Sequence, residues 1–169
     1  MPPETIAMHS ENSRNKTNEL INSELIDSEL IDSSVNSMNN PTSYKFLTRR
    51  GIIALHHQLI EEHGGSYGIR EDSLLESTLV KAKTRLNYVP DSQIWELAAA
   101  YGYGFIQNHV FVDGNKRVGL ASMAAFLYLN GCEMTSTETE EVAIILSVAT
   151  GECTQETLAE WIKNNIVQR

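Results

Sequence analysis

Cysteine is scarce in this chain, with only Cys132 and Cys153 among 169 residues. They form no C-x-x-C pair and have no histidine at zinc-finger spacing, so neither a disulfide framework nor a structural zinc site is supported. Both read as reduced, half-buried thiols. Positive charge is also in deficit: 13 Lys and Arg stand against 22 Asp and Glu, giving a net charge of -9 and a pI near 5.0. That balance excludes a broad basic field for wrapping nucleic acid or coating an anionic membrane, so neither is an expected partner. Any phosphate must be met by a local concentration of positive charge. No stretch approaches ~18 uncharged apolar residues, and the opening Met1-Pro2-Pro3-Glu4 lacks the basic start and apolar run of a leader. A soluble cytoplasmic protein is the expectation.

A chain of 169 residues, 41% of them hydrophobic, is long enough for one domain with a single core and too short for two ordinary ones. Residues 1–42 are rich in Ser, Asn, Glu and Asp and carry a five-residue repeat, Ile21 to Leu25, Ile26 to Leu30 and Ile31 to Val35. A period of five matches neither helix nor strand, so its apolar pairs walk around a helix instead of forming a stripe. The composition reads as a low-complexity, disordered tail. The competing reading is a segment that folds onto the domain or a partner through Leu25, Ile26, Leu30 and Ile31. The domain itself is expected over residues 43–169.

From Tyr44 onward the pattern is helical. Thr48 caps a helix to about Glu62, with Ile52, Ile53, Leu55, Leu59 and Ile60 on its apolar face and His63-Gly64-Gly65 as its stop. Ser73 and Glu76 form a capping-box pattern ahead of a second helix that ends before Pro90. Asp91 or Ser92 caps a third, running to about Asn108, in which Gly102 and Gly104 imply close helix packing. Val118 to Leu129 is apolar on most sides and reads as the central buried helix, stopped at Asn130-Gly131. Thr137 and Glu140 box a helix over Val142 to Val148 that closes at Gly151, and Thr154 caps a last helix carrying Leu158, Trp161 and Ile162. No convincing alternating strand is present. The fold class is all-α, a compact bundle around a buried helix, with room for one small β-hairpin over Gly64 to Ile69.

Between the third helix and the buried one lies His109-Val110-Phe111-Val112-Asp113-Gly114-Asn115-Lys116-Arg117. A Gly-Asn turn running into a helix start directs several backbone N–H groups at one place, where the helix dipole also favours negative charge. Gly114 lets the backbone approach a phosphate, Asn115 suits the turn, and Lys116 and Arg117 add positive charge. Asp113 is a hard oxygen ligand of the kind Mg2+ uses alongside phosphate oxygens. His109 supplies a base, and Phe111 pins the loop to the core. Together these are parts that phosphoryl or nucleotidyl transfer needs. Taken singly, each is ordinary: D-G-N-K-R is also a plain capped turn, and a lone histidine beside an apolar helix is commonly structural. His56, His57 and His63 receive that structural reading.

The run H-V-F-V-D-G-N-K-R resembles the Fic/Doc signature H-x-F-x-[DE]-[GA]-N-[GK]-R, and more narrowly the death-on-curing (Doc) toxins. The segment from Ile53 to Arg70, the L-L-E-S-T-L around Leu74, the A-A-A-Y-G-Y-G-F-I-Q-N-H before the motif and the F-L-Y-L-N-G after it fit the same pattern. The resemblance implies the small helical Fic core, ATP as substrate and Mg2+ as cofactor. By it, His109 is the general base for a Ser or Thr hydroxyl, Asp113 holds Mg2+, and Gly114, Asn115, Lys116 and Arg117 line the anion nest. Gly64, Gly65, Ser66, Tyr67, Gly68 and Ile69 resemble the family's flap, which aligns a target segment by backbone pairing.

Two departures bear on the reaction. AMP-transferring relatives have Gly where Lys116 stands and a second Arg where Leu120 stands. The Doc pattern found here implies a Ser/Thr kinase that moves the terminal phosphate of ATP. Its implied target is a threonine of elongation factor Tu, with growth arrest as outcome and a small antitoxin as partner. The alternatives are Fic-type AMP transfer on the same loop and an inactive Fic-fold binding module. Val110 replaces a common Pro, which is expected to change loop stiffness and no chemistry.

Overall fold

Thr48 opens the first helix as its spacing predicts. Its Oγ1 accepts the Gly51 N–H at 3.0 Å, and α1 runs Arg49–His63 until Gly64, with positive φ, turns the chain away. The computed structural model describes residues 43–169 and the single position Glu19. The expectation for the tail over residues 1–42, Glu19 apart, lies outside the described residues.

The second helix, α2, spans Asp72–Tyr88 and departs from the expected cap: Glu71 is the N-cap and makes no side-chain cap bond. Ser73 Oγ instead donates to Glu71 Oε1 at 2.7 Å, while Glu76 is engaged by Arg49 Nη1 at 2.8 Å and so does not close the box. The third helix, α3, spans Ile94–Asn108 with a capping box between Gln93 and Glu96. Ser92, one of the expected caps, turns its hydroxyl back to the Val89 carbonyl at 2.7 Å. The central helix, α4, spans Asn115–Leu129 and therefore begins inside the loop motif, earlier than the expected Val118.

After α4 come strand β1 (Cys132–Met134), helix α5 (Glu138–Thr150), helix α6 (Gln155–Asn164) and strand β2 (Ile166–Gln168). The Thr137–Glu140 capping box, the Gly151 stop and the Thr154 cap all form. The two strands pair antiparallel, Glu133 opposite Val167. Three residues are too few for a readable alternation, which is why the sequence reading found no strand.

The core is built on α3 and α4. Val118, Leu120, Ala121, Met123, Ala125, Phe126 and Leu127 of α4 are buried, and the rings of Tyr101 and Phe126 meet at 5.3 Å. The expected close packing at Gly102 and Gly104 is present: a Cβ on Gly102 would run into the Met123 side chain, and one on Gly104 would stand 2.8 Å from Thr78 Cγ2. Cys132 and Cys153 are free and more deeply buried than expected, and burial raises both thiol pKa values, keeping them unreactive. Among the described residues no helix is long and apolar enough to cross a membrane.

Candidate active site

The loop between α3 and α4 is held from below by apolar burial and from within by one amide. Val110 and Phe111 are buried, and the Phe111 ring stacks on His56 with centroids 3.9 Å apart and planes 6° from parallel. Asn115 accepts the Phe111 N–H at 2.8 Å and donates to the Phe111 carbonyl at 2.9 Å. Its side chain is thus occupied in shaping the loop, and what it offers an anion is its backbone N–H. His109, at the upper end, is exposed and left-handed at φ 47, alone among the described non-glycine residues in having positive φ.

At the lower end, Gly114 caps α4 in the left-handed region, and the first intrahelical bond is Val118 N–H to Gly114 carbonyl at 2.9 Å. The N–H groups of Asn115, Lys116 and Arg117 lie ahead of that bond, in the first turn, where the helix dipole favours an anion. The Asp113 carbonyl faces the core and accepts from His56 Nε2 at 2.8 Å. Burial lowers the His56 pKa, a shift only partly offset by the hydrogen bond to Asp113, so the ring is neutral and carries its proton on Nε2. The structural reading of His56 therefore stands. Lys116 is half-buried at the start of α4, whereas Arg117 is buried and its Nη1 donates to the Gly64 carbonyl at 2.8 Å and the Leu59 carbonyl at 3.4 Å. That guanidinium ties the end of α1 to the start of α4.

The flap does not form the hairpin considered from sequence. Gly64, Gly65 and Gly68 have φ of 78°, 121° and 123°, which bend the segment out of a regular strand. It pairs instead with the loop itself: Arg70 N–H bonds the Val110 carbonyl at 2.9 Å, Val112 N–H bonds the Gly68 carbonyl at 3.0 Å, and Ile69 bridges Phe111. Ser66 N–H donates to Asp113 Oδ2 at 3.1 Å, and a Cβ on Gly65 would stand 2.5 Å from that oxygen. Tyr67 is exposed and meets His57 edge-on at 5.1 Å. His63 sits 3.8 Å from Glu62. Ser66 and Gly64 thus tie the flap to Asp113 and to Arg117 at the start of α4.

Asp113 is half-buried, with Gly114 N–H on Oδ1 at 2.8 Å as well as Ser66 on Oδ2. Among the described residues no group of three or more His, Cys, Asp or Glu side chains converges as a metal cage. One carboxylate beside a helix start fits a divalent cation that brings phosphate oxygens and water with it.

The sequence reading missed Arg70. Its Nε donates to the His109 carbonyl at 2.8 Å and its Nη2 to the Asn108 carbonyl at 2.9 Å. Contacts across nearly forty residues leave no spacing signal, and only its place at the end of the flap hinted at them.

The profile of the Fic/DOC family matches residues 46–127. Toxin Doc of Mycolicibacterium smegmatis is 30% identical over 100 residues, spanning 57% of this chain and 76% of that protein. The chain belongs to the Fic/DOC family. Protein kinase doc of Escherichia phage P1 is 29% identical over 112 residues, 66% of this chain and 88% of that one. A crystal structure of the BepC protein from Bartonella tribocorum overlays with a TM-score of 0.41 at 14% identity, covering 92% of this chain and 88% of that one, a likeness too distant to bear on chemistry here. The family match covers α1 to α4 and ends within α4, so all of the loop from His109 to Arg117 falls inside it.

Proposed function

We propose that this Fic/DOC protein is a Doc-type toxin that transfers the terminal phosphate of ATP to a Ser or Thr hydroxyl of a target protein. The target is a threonine of elongation factor Tu, the outcome is arrested translation in the cytoplasm, and a small antitoxin restrains it. The observation that carries the reading is the composition of the α4 start. Lys116 occupies the first turn, and Leu120, where AMP-transferring relatives have a second Arg, is buried in the core. The names of the two relatives, a protein kinase and a toxin, support the same reading.

In this reading the flap's backbone aligns a target segment so that its hydroxyl faces His109 at the exposed rim. His109 takes the hydroxyl proton as the oxygen attacks the terminal phosphorus and the bond to the bridging oxygen breaks, leaving ADP. The first-turn N–H groups of α4, with Lys116, stabilise charge on the transferred group, and that alignment and stabilisation supply most of the rate. Arg117 acts through its hold on Gly64 as well as through its charge. Asp113 would hold Mg2+, which when bound neutralises phosphate charge.

The test is His109→Ala in the full chain. Its loop position contributes little packing, so the variant folds, while transfer to purified elongation factor Tu drops by about 10²- to 10⁴-fold. A variant with wild-type transfer and wild-type toxicity would remove His109 from the mechanism.

A further inference from the structure

We propose that Arg70 is a positioning residue for the transfer reaction: it fixes the backbone of His109 in the left-handed conformation that presents the imidazole at the rim. The inference rests on the reading of His109 as the base. It arises from two facts on opposite sides of one gap. His109 adopts φ 47 and ψ 55, an unfavourable conformation for a side chain branching from an L-residue. The guanidinium of Arg70 bonds the carbonyls of Asn108 and of His109 at once, at 2.9 and 2.8 Å.

Those two carbonyls belong to the two peptide planes that flank the His109 Cα. Because each peptide is planar, fixing both carbonyl directions fixes φ and ψ of the residue between them. Arg70 N–H adds a third consecutive carbonyl, that of Val110, at 2.9 Å. The planar fork of arginine matches two fixed acceptors in a way that a single ammonium does not, and its charge lies at the C-terminus of α3, where the helix dipole favours it. The preceding residue is fixed independently, Asn108 Nδ2 donating to Thr78 Oγ1 of α2 at 2.9 Å. The base is thus clamped between α2 and the end of the flap, and Arg70 is the exposed member of the clamp.

Exposure makes the residue testable, since its removal opens no cavity. In Arg70→Ala, kcat should fall by about tenfold or more while KM for ATP stays within about twofold, because the α4 nest is untouched. Arg70→Lys should recover part of the loss, and thermal midpoints of all three proteins should agree closely. Independently of activity, the backbone carbon shifts of His109 in the isotopically labelled full chain should report left-handed geometry in the wild type and lose it in Arg70→Ala. Retained left-handed shifts, unchanged kcat, or a kcat loss matched by a lower thermal midpoint would each overturn the proposal. Were the wild type to transfer no phosphate at all, the kinase reading would fail, and the shift measurement alone would still decide whether Arg70 holds His109.

Discussion

Asn115 grips the backbone of Phe111 from both sides, its amide oxygen on the N–H at 2.8 Å and its amide nitrogen on the carbonyl at 2.9 Å. The residue proposed for the heart of the anion site is therefore first a builder of the loop. Asn115→Asp keeps the acceptor, loses the donor and sets a charge against a carbonyl. It should lower unfolding free energy by about 1–3 kcal/mol and abolish transfer. Urea unfolding checks this, and an unchanged midpoint would show that the loop holds its shape without the amide.

The neutral His56 beneath Phe111 predicts a pH dependence. Its pKa is lowered in the folded protein, mainly by burial, so the unfolded chain binds the proton more tightly. Its contribution to stability is then complete above the unfolded value of about 6.5 and declines as pH falls below it towards the folded value. His56→Gln, which keeps an N–H donor and does not titrate, should show a shallower loss of stability on acidification. Denaturation midpoints for both proteins across mildly acidic pH test this; parallel curves would remove His56 as the source.

Helix packing under the loop gives a third expectation. A Cβ on Gly119 would stand 2.6 Å from Ile106 Cγ1 and 3.1 Å from the Gly102 carbonyl oxygen, so α3 and α4 would be pushed apart. Gly119→Ala should cost about 1–3 kcal/mol. The nearest atoms to a Cβ on Gly102 all belong to the unbranched, adaptable Met123 side chain, so Gly102→Ala should cost less, partly offset by about 1 kcal/mol of helix propensity. Thermal denaturation of the two variants, side by side, reads the order directly.

Much of this arrangement was legible in the sequence. Local signals located Thr48, Thr137 and Thr154 as caps and Gly64 and Gly151 as stops, because a cap is decided by neighbours within a turn. Where a distant partner intervened the local rule failed: Arg49 removes Glu76 from the expected box with Ser73. The site followed the same division. The loop from His109 to Arg117 stood out in the sequence as a unit, but the turning of the Asn115 side chain and the Arg117 guanidinium into the protein, and the bonds from Arg70, depend on tertiary contacts that no spacing encodes.

Lys116 sets the mode of transfer in the proposed reading. Lys116→Gly should lose phosphate transfer, since it removes a charge from the first turn of α4 and frees space in the nest. With Leu120 in place of an arginine, gain of AMP transfer should be weak at most. Intact-mass analysis of a modified target distinguishes the two products, and undiminished phosphorylation by the variant would remove the ground for assigning Lys116 that role.

The most direct measurement uses the purified full chain, elongation factor Tu and two preparations of ATP, one labelled at the terminal phosphate and one at the phosphate next to the ribose. Phosphoryl transfer places label on a threonine of the target from the first preparation and none from the second, and His109→Ala abolishes it. Label arriving from the second preparation would mean that the chain transfers AMP, and label from neither would mean that it does not modify this target.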